Sequence, residues 1–237
     1  MKYFRYFPTL DYDLDDNGST RQAVDLFRIS KLITGVNDNI SFYRNYTIQD
    51  GERPDHVSKN LYDTTDYHWT FFIVNENLKN LYQDWPKSRQ KFDEYIEHTY
   101  TTSYLGVNAY DFFDKFQVGE TLQGLQSNAT AKLVRKNTSL GWIEVESVSG
   151  TFRANEIVRG LISQDFVTIN GSGSFKDAAH HYEDGDGNWV ERSVPNAAIV
   201  TYADYDFEQN ENKREIRVIR PEFVDKVAKQ FRESING

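Results

Sequence analysis

Cysteine and long apolar runs are both missing from this 237-residue sequence. Without cysteine, the chain can form neither a disulfide framework nor a thiolate nucleophile or metal ligand. No apolar run approaches the roughly 18 to 20 residues that cross a bilayer. The first eight residues, Met-Lys-Tyr-Phe-Arg-Tyr-Phe-Pro, carry no apolar core and no small-residue cleavage site, so we expect no signal peptide. The sequence therefore predicts a protein that has no membrane segment and stays in the cytoplasm of the cell that makes it.

Positive charge is also in short supply. The 27 Lys and Arg residues face 36 Asp and Glu residues, which gives a formal net charge of −9. Because binding to a phosphate backbone depends on clustered Lys and Arg, this balance argues against nucleic acid as the main partner and favours proteins. The aromatic content of 15% indicates a folded chain, and its length allows one or two domains.

Signatures of catalysis are absent as well. The sequence contains no Gly-x-Ser-x-Gly elbow, no His-Glu-x-x-His helix and no Gly-rich phosphate loop. No pattern brings together a Ser, His and Asp set or a pair of catalytic carboxylates. We therefore predict no enzymatic activity, no catalytic residue, no cofactor and no small-molecule substrate.

Two segments invite comparison with metal sites, and neither matches. The run 184–188, Asp-Gly-Asp-Gly-Asn, has alternating polar positions, but the Gly and Glu that a calcium loop needs are replaced by Trp189 and Pro195. A hairpin turn at Asp-Gly fits this run better. His180 and His181 are neighbours on an expected strand, where successive side chains point to opposite faces. The sequence therefore predicts no metal site.

Residues 46–78 follow the order strand, Gly turn, short helix, second short helix and Asn-rich turn. Gly51 suits a tight turn, and Pro54 suits the first helical position, where its missing N–H costs nothing. The apolar positions with helical spacing are Val57 and Leu61 on the first helix and Trp69, Phe72 and Ile73 on the second. We expect the two helices to share one small core, and the whole segment resembles a LysM-type βααβ module.

Three further segments extend the resemblance: 67–69 (Tyr-His-Trp), 84–86 (Asp-Trp-Pro) and 180–183 (His-His-Tyr-Glu). With the module, they resemble the LysM-containing wedge subunit of the baseplate in T-even-type contractile-tailed bacteriophages. The likeness covers about residues 20–109 and, more weakly, 176–237. One departure is Arg53, which stands where LysM modules usually carry a Ser or Thr helix cap.

This resemblance implies a structural virion protein of the tail baseplate that is assembled in the host bacterial cytoplasm. It would clamp the helical core of the wedge and help to join neighbouring wedges around the hub. Its expected partners are other wedge subunits and hub or tube-proximal proteins. The residues that we expect at these contacts are Arg53, Tyr62, Tyr67, Asn75 and Asn77 of the module, Phe223, Val227 and Phe231 of the last helix, and Tyr3, Phe4 and Tyr6 of the N-terminal arm.

Two rival functions remain open from the sequence. LysM modules in general bind N-acetylglucosamine chains in a groove between two turns, which in this chain would be 50–53 and 75–77. The first rival is therefore a peptidoglycan-binding module of a protein that targets the host wall. The second is an accessory domain of a carbohydrate-active enzyme. The arm aromatics also have a plainer interpretation, which is that they cover the core of this chain.

An internal repeat marks a separate β region. Residues 116–124 recur as 152–160, an offset of 36 positions from Phe116 to Phe152. Gly119 and Asn155 occupy equivalent places, and both residue types tolerate positive φ, so we expect the same tight turn twice. The repeat favours a small β-barrel or sandwich, since solenoids and propellers need more copies.

The predicted fold class is therefore α+β, with a LysM-like βααβ module, helical and β extensions, and an inserted small β-barrel or sandwich. The expected domains are an N-terminal arm at 1–20, a wedge body at 21–111, the β module at 112–175, and a C-terminal hairpin and amphipathic helix at 176–237. The Gly-Ser run 171–174 suggests a linker at the end of the β module. The apolar stripe of the last helix is expected to be a docking face.

Overall fold

The computed structural model describes residues 7–13, 16, 18–25, 40–80 and 83–236. The chain forms two compact units: unit 1 contains Met1–Arg89 and Asn210–Gly237, and unit 2 contains Gln90–Gln209. The fold is mixed α+β, as predicted. No helix in the described ranges is both long enough and apolar enough to span a bilayer.

Strands and helices alternate irregularly along the chain. The strands are β1 (Thr9–Tyr12), β2 (Arg21–Val24), β3 (Tyr43–Thr47), β4 (Ser103–Val107), β5 (Thr121–Gly124), β6 (Thr130–Asn137), β7 (Trp142–Ser149), β8 (Ile157–Gly160), β9 (Phe166–Ser174), β10 (Ala179–Glu183), β11 (Trp189–Val190), β12 (Ala198–Thr201) and β13 (Glu215–Ile219). The helices are α1 (Pro54–Tyr62), α2 (Thr70–Val74), α3 (Arg89–Thr99), α4 (Tyr202–Asn212) and α5 (Pro221–Asn236).

Within its described residues, unit 1 has no contiguous βααβ module. After α2, the described residues up to α3 contain no strand, and β3 pairs antiparallel with β13 instead, with Tyr46 opposite Ile216. Strand β13 therefore completes the small sheet. Pairing at such a sequence separation depends on tertiary packing, which the local pattern of residues 46–78 does not encode.

Helix α1 begins as the sequence predicts. Pro54 occupies the start of the helix, and Arg53 at the N-cap is extended and makes no side-chain cap hydrogen bond. The helix ends at Asp63, whose φ of 58° lies in the left-handed region. Because α1 has no side-chain cap, its stability depends more on the burial of Val57 against its neighbours.

The core of unit 1 uses a different face of α2 from the predicted one. Phe71 and Val74 are buried, whereas Trp69, Phe72 and Ile73 are only half-buried. The helix is one short turn that follows a 3₁₀ turn at Thr65–Tyr67. The buried apolar side chains around Phe71 are Ile48, Val57, Leu78, Ile216 and Val218.

Unit 2 contains a closed six-stranded barrel with the strand order β4-β7-β6-β5-β8-β9. Every neighbouring pair is antiparallel, including the β4–β9 pair that closes the barrel. This confirms a small barrel in the chain. Its first strand, β4, lies before residue 112, where the β module was expected to begin, and the buried Leu105 and Val107 of β4 belong to the barrel core.

The internal repeat forms the same local structure twice. Gly119 N–H donates to Leu133 O at 2.8 Å, and the equivalent Asn155 N–H donates to Ile169 O at 2.9 Å. Gly119 and Asn155 both have positive φ, at 88° and 62°. The two copies therefore make the predicted tight turn in equivalent places.

Each copy also buries a glutamate that holds the turn of the other copy. Glu120 accepts hydrogen bonds from Ser163 N–H at 3.0 Å and from the Ser163 hydroxyl at 2.9 Å. Glu156 accepts the same pair of bonds from Ser127, at 3.0 Å and 2.9 Å. Each carboxylate also accepts an N–H from its own copy, Glu120 from Gln117 and Glu156 from Arg153, so each glutamate links the two copies.

The rest of unit 2 includes a three-stranded sheet with β10 between β11 and β12. The Asp-Gly run forms the predicted hairpin turn, since the Asp184 carboxylate accepts the Asn188 N–H at 2.9 Å. The prediction that His180 and His181 point apart is wrong. A bulge between Ala179 and His181 shifts the register, and the two Nδ1 atoms lie 2.9 Å apart.

Candidate functional site

The candidate site is the surface of unit 1 around α1, α2 and the β3–β13 pair, where the sequence places most of its predicted contacts. Asn75 follows α2 and is only 6% exposed. Its amide nitrogen donates to Phe71 O and Arg217 O, and its amide oxygen accepts the Arg217 N–H, each at 2.8 Å. Both ends of this side chain are therefore engaged in holding β13 against α2.

Two tyrosines make similar links toward the C-terminal part of unit 1. The Tyr62 hydroxyl donates to Ile219 O at 2.8 Å, and burial raises the pKa of Tyr62 to about 12. The Tyr67 hydroxyl donates to the Asp225 carboxylate on α5, and this hydrogen bond, with burial, raises the pKa of Tyr67 to about 12. Both phenols stay neutral at physiological pH and act as hydrogen-bond donors.

A polar groove of about 400 Å³ lies beside the turn that follows α2. Exposed Asn77 lines it with Glu76, and strand β13 contributes Glu215 and Arg217. The Arg217 guanidinium lies 5.6 Å from the centroid of the Tyr43 ring, which orients the charge at the groove wall. The groove offers amide, carboxylate and guanidinium groups, which can hydrogen-bond to a polar ligand or to a protein surface.

The turn between β3 and α1 is tied down by bonds within unit 1. The Glu52 carboxylate accepts the Tyr46 hydroxyl at 2.9 Å and the Gln49 N–H at 2.9 Å. The Glu52 carbonyl accepts the Trp85 indole N–H at 2.7 Å. Arg53, next in the chain, stays exposed and pairs with Asp55 at 3.1 Å. Although it is paired, the Arg53 side chain remains 70% exposed and can contact a partner.

The apolar stripe of α5 is core, which corrects the prediction of a docking face. Val227 and Phe231 are each 4% exposed, and the Phe231 ring lies 4.7 Å from the Trp69 ring. Phe223 is half-buried, with its ring 4.8 Å from the Phe42 ring. Hydrophobic periodicity locates a buried stripe, but it does not say whether the covering surface belongs to the same chain.

Of the predicted contact residues, Arg53 and Asn77 are exposed, while Tyr62, Tyr67 and Phe223 are half-buried. Tyr3, Phe4 and Tyr6 lie outside the described residues. One contributor that sequence reasoning missed is Arg214, which donates to the Glu211 carboxylate at 2.8 Å and the Asp50 carboxylate at 3.2 Å. The Glu211 pair is local, whereas the contact with Asp50 joins distant parts of the sequence and has no local signal.

The adjacent histidines of β10 lie in aromatic surroundings. His181 Nε2 lies 2.8 Å from a Glu183 carboxylate oxygen, and its ring stacks on Trp189 with centroids 4.0 Å apart. The described part of the chain contains no group of three His, Asp or Glu side chains placed to hold a metal ion. The two histidines thus belong to an aromatic and hydrogen-bonded cluster.

Comparison with known families matches residues 3–120 to the family described as base plate wedge protein 53. The matched residues, about half of the chain, include β3, α1, α2 and the turns that form the candidate site. They end at Glu120, so most of the barrel lies beyond them. No curated protein matches the chain.

Proposed function

We propose that this chain, whose family match supports a phage baseplate wedge protein with a structural role, clamps the core of the wedge and links neighbouring wedges around the hub. The observation that carries the proposal is the match itself, because it covers the strand and helices on which the exposed candidate residues lie. Other baseplate proteins are the partners that this family suggests. The specific partners in this proposal are other wedge subunits and hub or tube-proximal proteins of a contractile tail, joined in the host cytoplasm.

We include in the proposal a LysM-like unit whose strands and helices are not contiguous in sequence. Strand β3 pairs with β13, and α1 and α2 lie between them in chain order, although unit 2 separates α2 from β13 in sequence. Asn75 supports this interpretation, because it bonds to the backbone of Arg217 in β13 from the turn after α2. A clamp needs such internal bonds, since a contact surface transmits force only if its own elements are held together.

Arg53 and Asn77 are the proposed contact residues, and Asn75, Tyr62 and Tyr67 are proposed to position the elements behind them. The test is co-expression of the chain with the other wedge subunits of its phage. Arg53→Ala combined with Asn77→Ala should reduce co-purification with those subunits, because charged and amide groups set specificity at protein interfaces. Lys229→Ala is the matched control, since Lys229 is exposed on α5 in the same unit.

Two outcomes would contradict this proposal. The first is co-purification of the double variant at the level of the Lys229→Ala control. The second is saturable binding of N-acetylglucosamine oligomers, measured by calorimetry, that disappears with Asn77→Ala. That result would assign the groove beside Asn77 to peptidoglycan rather than to protein.

A further inference from the structure

Two neighbouring imidazole rings of β10 are in direct contact. His180 Nδ1 and His181 Nδ1 lie 2.9 Å apart, which is a hydrogen-bond distance. An imidazole nitrogen donates only when it carries a proton and accepts only when it does not, so this contact requires one proton between the two atoms. The other ring nitrogen of His181, Nε2, lies 2.8 Å from Glu183 Oε1, and as an N–H it donates to this carboxylate. In the neutral pair, His180 Nδ1–H therefore donates to His181 Nδ1.

The contact limits the number of protons that the pair can hold. A first additional proton leaves the contact intact, because one of the two Nδ1 atoms can still accept. A second additional proton puts an N–H on both Nδ1 atoms, so neither can accept, and it places two positive charges side by side. The observed geometry therefore accommodates one positive charge, and a doubly charged pair must separate.

The surroundings of His180 oppose its positive charge. Burial and then the charge of His181 lower the pKa of His180 below its ordinary value of 6.5, while Asp206 of α4 acts in the opposite direction. The Glu183 carboxylate is the charged group of β10 beside the pair. The phenols whose rings contact His180 are Tyr202 and Tyr205 of α4. Protonation of both imidazoles therefore requires a pH below 6.5.

The pair connects aromatic rings from two other elements. His180 stacks on Tyr205 of α4 with ring centroids 3.9 Å apart, and His181 stacks on Trp189 of β11 with centroids 4.0 Å apart. Strand β11 has only two residues, and Trp189 is 63% exposed in spite of the stack. The position of the Trp189 ring therefore depends on that of His181. When the two imidazoles separate, at least one of the stacks must change.

We propose that His180 and His181 form an acid-sensitive switch, which holds Tyr205 and Trp189 stacked at neutral pH and releases at least one of them when both imidazoles are protonated. Because the pKa of His180 is lowered in the folded state, the folded protein holds fewer protons than the unfolded chain just below pH 6.5. The stability that the contact supplies is therefore fully present above that pH and is lost as the pH falls through the folded value. The inference goes beyond the proposed function, since β10 lies outside the family match.

The direct test is a nuclear magnetic resonance titration of the imidazole nitrogens in the full-length protein, from about pH 8 to about pH 4.5. His180 and His181 should titrate in two steps separated by roughly one pH unit or more, because interacting groups take up protons as a pair. Trp189 fluorescence should change with the step at lower pH, while the far-ultraviolet circular dichroism stays constant. The chain contains four tryptophans, so the difference between the wild type and Trp189→Phe isolates this signal.

His180→Asn removes the second titrating group of the switch. In this variant, His181 should titrate in one step, and the acid-dependent change in Trp189 fluorescence should disappear. His98→Asn is the matched control, since His98 is exposed on α3 in the same unit, and it should leave both steps unchanged. If His180→Asn loses its fold by circular dichroism, Glu183→Gln tests the same switch. It removes a negative charge beside the pair and should move the steps to lower pH.

Three results would overturn the inference. They are two histidines that titrate independently near pH 6.5, a Trp189 signal that stays constant while both imidazoles become charged, and a signal change that persists in His180→Asn. Because no wedge subunit takes part in these measurements, each of these results would leave the proposed function standing and reject only the switch.

Discussion

At the residue scale, the barrel contains two buried carboxylates, which need hydrogen-bond donors to stay ionised. Glu156 is fully buried, and burial by itself raises the pKa of a carboxyl group. Hydrogen bonds from Arg153, Ser127 and the backbone beside it outweigh that effect, so the pKa of Glu156 lies below its ordinary value. Glu120 has a lowered pKa for the same reasons. The barrel therefore relies on two ionised glutamates.

Replacing Glu156 by Gln should cost about 2 kcal/mol of unfolding free energy, because the bonds lose their charge and one amide end faces N–H donors. Glu146→Gln is the control, since Glu146 pairs with Lys132 at an exposed site and should change stability by about 0.5 kcal/mol or less. Urea unfolding of both variants measures the difference. Equal midpoints would mean that the reciprocal bonds contribute no net stability.

The same carboxylates predict an acid-sensitive barrel. Their folded-state pKa values lie below the ordinary value of 4.5, so their contribution is complete above about pH 4.5 and is lost as the pH falls through the folded values. Stability of the wild type should fall across that acid range. In the Glu120→Gln, Glu156→Gln double variant, the slope should be smaller. An unchanged slope would assign the acid sensitivity to other groups.

At this scale, the sequence predicts the backbone conformation best where it depends on one residue and its neighbours. Positive φ at Gly119 and Asn155, the uncapped start of α1 at Arg53 and the Asp184 turn all followed from residue type. It failed at His180 and His181, because a bulge is set by the pairing of β10 with β12 and not by the two residues themselves.

At the element scale, α2 shows how a short helix misleads periodicity. The sequence predicts Trp69, Phe72 and Ile73 as its buried stripe, but Phe71 is the fully buried side chain. Phe71→Ala should cost about 3–5 kcal/mol, and Trp69→Ala should cost less because its ring is half-buried. Thermal unfolding of the two variants compares them. A larger loss of stability for Trp69→Ala than for Phe71→Ala would support the predicted buried stripe of Trp69, Phe72 and Ile73.

The pairing of β13 with β3 makes the sharpest element-scale prediction. Asn75→Ala should lower stability by about 2–3 kcal/mol, because it leaves the backbone groups of Arg217 without partners. Asn77→Ala, two residues away and exposed, is the matched control and should change stability by about 0.5 kcal/mol or less. Hydrogen exchange of the β3 amides reports the effect locally. Equal protection in both variants would contradict the role given to Asn75.

Helix α4 forms although the polar composition of its segment favours a flexible connection. The polar segment from 206 to 213 suggests a flexible connection, yet α4 runs over Tyr202–Asn212. Thr201 and Asp204 form a reciprocal cap, since the Asp204 N–H donates to the Thr201 hydroxyl oxygen at 3.1 Å and the Thr201 N–H to the Asp204 carboxylate at 3.2 Å. A Thr-x-x-Asp start outweighs low hydrophobicity at this position.

At the scale of the whole molecule, a repeat and a family pattern were both visible in sequence, while the connection between distant parts was not. The repeat predicted a small β-barrel or sandwich, and the structure has a closed barrel; the likeness to a wedge subunit agrees with the family that matches residues 3–120. The use of β13 to complete the sheet begun by β3 could not be predicted, because it joins segments separated by the whole of unit 2. The apolar stripe of α5 was predicted to be a docking face and not core, because the residues that cover it, such as Trp69, also lie on the other side of unit 2 in the sequence.

The central claim is that this chain is a structural part of a baseplate wedge, built around the β3–β13 sheet. The most direct measurement is an electron cryomicroscopy reconstruction of the baseplate from purified particles of the phage that encodes it. The account predicts density for unit 1 in every wedge, with Arg53 and Asn77 against a neighbouring subunit. A baseplate without this chain, or one in which that surface faces only solvent, would contradict it.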